Sequence, residues 1–259
     1  MAREKRRSDG MAGNGQATMK HAVYSGTRNL YPDMVPAVKS LIANSSVTDV
    51  WLLIEDDTFP YEMPDFVHFV NVSNQPWFPE SCPNMKSQFT YMAMIRACYP
   101  EIFPDLEKVV QFDVDTICVD NVDYLWEVDL GECWLACARE YLGKYDPYKR
   151  GEYYNVGVAV MNLKQMRDDH AQARLVGLIN AEKLWCVDQD AFNKLTVPAK
   201  MAEIPTRYNE CFVTGYTEEP AIVHFAGVPD WQGNVKVPRR EYIRKYREMP
   251  WEEVLRLHG

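Results

Sequence analysis

The sequence predicts an α/β fold built on a mostly parallel sheet, and three observations predict it. Short apolar runs of strand length, such as VWLLI at 50–54, alternate with stretches of helical periodicity. Strand, helix and strand in succession build a parallel sheet. Polar residues also gather where the apolar runs end, which is where open α/β sheets bind ligands. With 259 residues, 47% of them hydrophobic, the chain can bury a full core.

The first strand is expected at 21–24, followed by a turn at 25–28 and a helix at 33–44 with Pro32 at its start. Strands follow at 50–54 and 66–70. A proline-bearing loop over 71–83 leads to a helix at 86–99, whose Met and aromatic stripe reads as core. Further strands are predicted at 108–112, 133–138 and 154–161, the last with Gly157 marking a close backbone approach. Helices at 165–182 and 188–195, the second capped by Asp188, precede a last strand at 221–225. A helix over 239–257, broken by Pro250, closes the chain. Its basic first half, with Tyr242 and Tyr246, suits peripheral contact with an anionic membrane or an ordinary solvated face.

A net charge of −9 argues against nucleic acid as a partner, because that binding draws on Lys and Arg at phosphates. No window approaches the roughly 20 apolar residues of a membrane span. Seven cysteines at irregular spacing, with no C-x-x-C pair, predict reduced thiols and a cytoplasmic setting. Residues 1–18, rich in Gly, Ser and charge, read as a disordered leader before one domain over 19–259. There is no Gly-rich dinucleotide fingerprint, P-loop or G-x-S-x-G elbow.

Asp113 and Asp115 stand two residues apart just after the apolar pair Val109-Val110. Alternate residues of a strand share a face, so the two carboxylates are expected to converge on a divalent cation able to neutralise a diphosphate. A solvated turn is the ordinary alternative. Asn155, Asp188-Gln189 and His224 each present polar groups at a strand end or helix start, and singly each reads as structural. Together they meet the needs of sugar transfer from a nucleotide diphosphate: a metal, polar groups for hydroxyls, and a weakly basic oxygen near the anomeric carbon. Two carboxylates and an imidazole suit Mn²⁺ better than Mg²⁺.

Five motifs occur in order: YSGTRNLYPDMVPAVKSLIANS, EKVVQFDVDTICVDNVDYLWEVDL, YYNVGVAVMNLKQMRDD, VDQDAFNKL and IVHFAG. Through them, residues 21–231 resemble the family 8 retaining glycosyltransferases, which include glycogenin and bacterial lipopolysaccharide galactosyl- and glucosyltransferases. The resemblance implies a GT-A fold, a single Rossmann-like domain with a central, mostly parallel mixed sheet flanked by helices. It implies transfer of a hexose, glucose or galactose, from a UDP-sugar with retention of configuration. By the same resemblance, Asp113, Asp115 and His224 hold manganese, and Gly227 admits the diphosphate close to the backbone. Arg96, Asn155 and Asp188 reach the donor, Thr27 and Asn29 lie in the nucleotide loop, and Gln189 faces the reacting carbon. A neutral amide is a poor nucleophile, so a same-face mechanism, with the leaving phosphate helping to deprotonate the acceptor, is expected over double displacement.

The chain departs from the family at HFAGVPDW, where Asp230 stands near the place of the usual phosphate lysine. Lys236 or Arg239 is the candidate substitute. Thr27 and Arg28 replace acids of the early loop, which leaves base selectivity open. The missing lysine motivates a second reading, a nucleotide-sugar-binding protein without turnover. A third, a haloacid-dehalogenase-type phosphatase, shares the D-x-D signature, although Thr116 falls one residue early for it. The acceptor is not legible. Trp77 and Phe78 in the 71–85 segment, and the C-terminal region, are candidate acceptor contacts because aromatic faces stack on sugars.

Overall fold

The computed structural model describes residues 19–87, 89–141, 152–227 and 239–259. The expected leader, Asp230 and Lys236 lie outside the described residues. In chain order the strands are β1 (His21–Ser25), β2 (Asp49–Ile54), β3 (Val67–Asn71), β4 (Lys108–Phe112), β5 (Thr116–Cys118), β6 (Leu135–Arg139), β7 (Tyr154–Asn162), β8 (Met201–Glu203) and β9 (Ile222–His224). Seven form a sheet in the order β3-β2-β1-β4-β7-β6-β8, and β5 pairs with β9 in a separate ribbon. Within the sheet β7 is antiparallel to both neighbours, and every other pairing is parallel.

From β1 the chain winds outward to β2 and β3, then returns to lay β4 on the other side of β1. That reversal opens a crevice at the carboxyl ends of β1 and β4. The reversed β7 brings its first residues to the same edge, where the Asp113 amide donates to the Gly157 carbonyl at 2.7 Å.

Strand residues alternate between two apolar layers, which explains their unbroken apolar runs. Tyr24, Val110, Phe112 and Val158 face one layer, while Val23, Val109 and Ala159 face the other. On the first side lies α1 (Tyr31–Ala43), entered through Pro32 in its first turn. Against it pack α8 (Arg240–Glu248) and α9 (Trp251–Leu257), separated at Pro250 as expected. Tyr246 is buried, with its hydroxyl accepting from Asn44 at 2.7 Å, and Tyr242 packs on the same core. The Tyr246 ring therefore serves this packing, with Tyr242 half-buried beside it.

Two expected helices are shorter than their periodicity suggested. In the 86–99 segment, the Ser87 hydroxyl bonds locally to the Phe89 backbone, and such bonds compete with helix. The helix α2 (Tyr91–Ile95) begins only after extended Thr90, tightens into a 3₁₀ turn, and gives way to α3 (Tyr99–Ile102). Pro100 lacks the N–H that would continue the ladder. The segment Tyr124–Glu127 forms α4. The 165–182 stretch divides into α5 (Leu163–Asp168) and α6 (Ala171–Ala181), with His170 left-handed at φ 51° between them. At this break the Asp169 carboxylate accepts from Trp134 at 2.6 Å and lies 3.1 Å from the Lys200 ammonium, which anchors the junction between the two helices.

Candidate active site

The crevice holds a cavity of about 730 Å³, a size suited to a small-molecule ligand. Asp113, Asp115, Asn155, Arg96, Asp188, Gln189, His224 and Gly227 all line it. The structure thus brings together every residue predicted for the metal, the donor or catalysis except Thr27 and Asn29. Those two belong to the turn between β1 and α1, where the Thr27 hydroxyl donates to Asn29 at 2.6 Å. Arg28 in that turn is drawn off to Asp56, so the turn is stapled to the end of β2.

Asp113 and Asp115 converge, though not by the pleat of a strand. Strand β4 ends at Phe112, and the two acids lie in the turn leading to β5, closed by the Thr116 hydroxyl donating to the Asp113 carbonyl at 2.7 Å. The β5–β9 register sets His224 directly opposite Thr116. His224 Nε2 lies 3.3 Å from Asp115 Oδ1 and 3.7 Å from Asp113 Oδ2. One ligand atom from each of the three lies within 4.8 Å of the others, so the trio fits a divalent cation held by two carboxylates and an imidazole. Asp113 divides its labour, since Oδ1 accepts from Arg96 at 2.6 Å and from Gln111 at 3.1 Å, leaving Oδ2 toward His224.

Burial opposes charge on His224, yet the neighbouring Asp115 carboxylate holds the imidazole well above its ordinary pKa. Burial also pushes Asp115 upward, but His224 outweighs it and the carboxyl stays below its usual range. Gly157 makes this geometry feasible: a Cβ there would overlap His224 Cε1 and sit 2.7 Å from Nδ1.

Arg96 is buried and largely committed within the protein. Its Nε donates to the Ala93 carbonyl, Nη1 to Val156 at 2.6 Å and Gln111 at 3.3 Å, and Nη2 to Asp113. Burial works against its charge, and the Asp113 and Asp188 carboxylates more than restore it. Asp188 does not cap a helix. It lies inside the first turn of α7 (Val187–Thr196), 2.9 Å from Arg96 Nε but off that N–H axis, so its Oδ2 is buried and accepts no hydrogen bond. Burial, outweighing Arg96, raises its carboxyl to about 7.

The turn that delivers Asp188 and Gln189 is held by Asp190, whose Oδ2 accepts from the Trp185 and Cys186 amides at 2.8 and 3.0 Å. Val187 there adopts φ 40°, a strained conformation for a β-branched residue. Gln189 Nε2 donates to Glu140 at 3.1 Å and its Oε1 accepts from the Val156 amide at 3.2 Å.

Sequence reasoning missed Gln111, Glu140 and Asn209. Gln111 lies in β4, two residues before the D-x-D pair, whereas Glu140 and Asn209 sit in loops with no motif and meet Asn155 only through the fold. Burial raises the Glu140 carboxyl above its ordinary range. The aromatic wall was also misplaced. Phe78 is buried in the core and Trp77 borders a separate groove with its indole on Glu101, while Phe89, Trp185 and Phe212 line the cavity. Of these, Trp185 and Phe212 are 68% and 54% exposed. Arg239, a candidate phosphate partner, is engaged by Glu210 and by the Thr217 carbonyl.

The family model described as glycosyl transferase family 8 matches residues 21–232, which overturns the phosphatase reading. General stress protein A of Bacillus subtilis (strain 168) is 25% identical over 204 residues, covering 65% of this chain and 69% of its own. Glycosyltransferase GlyE of Streptococcus pneumoniae serotype 4 is 26% identical over 175 residues, covering 64% of this chain and 41% of its own. The GlyE crystal structure superposes with a TM-score of 0.67 at 23% identity, covering 92% of this chain and 62% of that one. The galactosyltransferase LgtC, solved with donor and acceptor sugar analogues, gives 0.71 at 18% identity, covering 90% and 98%. The chain therefore spans less than two thirds of GlyE, and its likeness to both solved structures is one of fold, the GT-A arrangement of a mostly parallel sheet between helices. With most of its length matched by the family model, the chain belongs to glycosyl transferase family 8.

Proposed function

We propose that this chain is a metal-dependent, retaining hexosyltransferase that moves glucose or galactose from a UDP-sugar to an acceptor hydroxyl. The observation that carries the reading is the convergence of Asp113, Asp115 and His224 in a cavity that Asp188 and Gln189 also line. Mn²⁺ suits that donor set best, with Mg²⁺ next. Bound there, the cation would supply charge neutralisation for the departing diphosphate.

The remaining work falls to this chain's own residues. Asp188, which lines the cavity with Oδ2 buried against Arg96 Nε at 2.9 Å, would meet a donor-sugar hydroxyl through its carboxyl. Both ends of the Gln189 amide are already hydrogen-bonded, which fixes its orientation in the cavity and disfavours it further as a nucleophile. In the same-face reaction, the bond from the anomeric carbon to phosphate oxygen breaks and the bond to acceptor oxygen forms, with the acceptor's proton passing to the leaving phosphate. Trp185 and Phe212 offer ring faces at the mouth of the cavity, which suits a carbohydrate acceptor. Free thiols at all seven cysteines support a cytoplasmic setting, and among the described residues no helix is long and apolar enough to cross a membrane.

Commitment of Arg239 to Glu210 favours the second reading, a protein that binds the nucleotide sugar without turning it over. A screen of nucleotide-sugar donors, with Mn²⁺ present or chelated and read as nucleoside diphosphate release, separates the two. Metal-dependent release supports the transferase; metal-dependent binding without release supports the binder.

A further inference from the structure

We propose that Asn209 is a positioning residue that aims His224 at the cation, and that Glu140, through Asn155, sets its orientation. His224 and Gln189 then belong to one hydrogen-bonded unit. The inference rests on the metal-site reading above and adds to it the device that presents the imidazole.

The polarity of the chain of bonds can be followed from one end. Ionised, Glu140 can only accept. Its Oε1 takes a hydrogen bond from Asn155 Nδ2 at 2.9 Å and another from Gln189 Nε2 at 3.1 Å. With its amide nitrogen directed there, Asn155 turns Oδ1 the other way, where it accepts from the Gly157 amide at 3.0 Å and from Asn209 Nδ2 at 2.9 Å. Asn209 Nδ2 also reaches the Asn155 carbonyl at 3.3 Å. A reversed Asn209 amide would set its oxygen against two other oxygens, so one orientation alone satisfies this fully buried side chain.

Asn209 Oδ1 then faces His224 Nδ1 at 2.7 Å. An amide oxygen accepts, so Nδ1 carries the hydrogen, and Nε2 is the nitrogen left to offer a lone pair between Asp113 and Asp115. Metal-ligating histidines are commonly oriented in this way, by an oxygen on the ring nitrogen that does not bind the metal, and loss of such a partner typically costs about 10–100-fold in metal affinity.

Mn²⁺ binding to the full chain, measured by electron paramagnetic resonance of the free ion without any sugar, tests the proposal. Asn209→Leu removes the acceptor and should weaken Mn²⁺ about 10–100-fold. Asn209→Asp keeps an acceptor for Nδ1 but sets its second oxygen against the two Asn155 oxygens, so it should recover part of that loss, which filling space alone would not do. Equal affinity in Asn209→Leu and the parent, or equal loss in both variants, overturns the proposal. The parent needs no variant for a second measurement: with Cd²⁺ as a diamagnetic stand-in, the ¹⁵N shifts of His224, assigned by their loss in His224→Gln, should report Nδ1 protonated and Nε2 bound. The opposite tautomer overturns it. If Asp115→Asn weakens Mn²⁺ while Asn209→Leu does not, the positioning role fails and the metal site stands. A parent that binds no Mn²⁺ overturns both.

Discussion

Replacing Gly157 with alanine adds one methyl group at the most crowded point beside the metal trio. The new Cβ would overlap His224 Cε1 and lie 2.7 Å from Nδ1 and 2.9 Å from Asn155 Oδ1. Gly157 lies in the middle of β7, where alanine is conformationally acceptable, so the effect is steric. The imidazole is buried and pinned by Asn209, and β7 is buried along almost its whole length, so neither side yields freely. Overpacking of this kind costs about 1–3 kcal/mol of stability. Turning the ring away also removes one of the three groups proposed to hold the metal, so Mn²⁺ affinity should fall at least about tenfold, or roughly 1.4 kcal/mol. Thermal unfolding and Mn²⁺ titration of the same preparation read the two effects. A Gly157→Ala protein that melts with the parent and binds Mn²⁺ within about twofold of it would refute the reasoning, because the His224 ring would then have room that the backbone denies it.

Asp115→Asn should leave thermal stability within a few degrees of the parent while lowering Mn²⁺-dependent nucleoside diphosphate release at least about 100-fold, since a direct ligand matters more than an outer-shell partner; retained release with the metal chelated would contradict the site. Asp188 supplies a pH signature. Its folded pKa of about 7 exceeds the unfolded 3.8, so the stability it permits below that range is lost as pH rises through it. Asp188→Asn abolishes that slope, and its stability relative to the parent, from denaturant unfolding, should rise between about pH 4 and pH 8 by at most on the order of 4 kcal/mol. A flat difference would mean that Arg96 keeps the carboxylate ionised throughout. Trp185→Ala should change stability by less than about 0.5 kcal/mol, yet raise the acceptor KM by roughly 2–10-fold with a smaller change in kcat, as expected for a lost stacking face; an unchanged KM would remove Trp185 from the acceptor path.

The sheet was legible because its strands are buried on both faces and therefore read as apolar runs, and the acids were legible because they directly follow one of those runs. What makes the acids converge was not legible. Strands β5 and β9 have three residues each, too few for a period to emerge, and their pairing depends on residues far apart in the chain. Asp169 looked like one more polar residue in a helix until Trp134 and Lys200 arrived from elsewhere in the fold. Aromatic side chains announce apolar area but not its direction, so Trp77 and Phe78 carried the same signal as Trp185 and Phe212. Glu140 and Asn209 had no local signature, because an amide or carboxylate acquires its role from partners that only tertiary structure supplies.

The small β5–β9 ribbon means that the proposed metal site cannot be complete early in synthesis. A nascent chain that has emerged only through α6 carries both acids but lacks the imidazole, and the ribbon that joins them closes after most of the sheet has been made. Once it closes, any cation seated there ties the middle of the polypeptide to its last strand like a clasp, and adds its binding free energy to the fold.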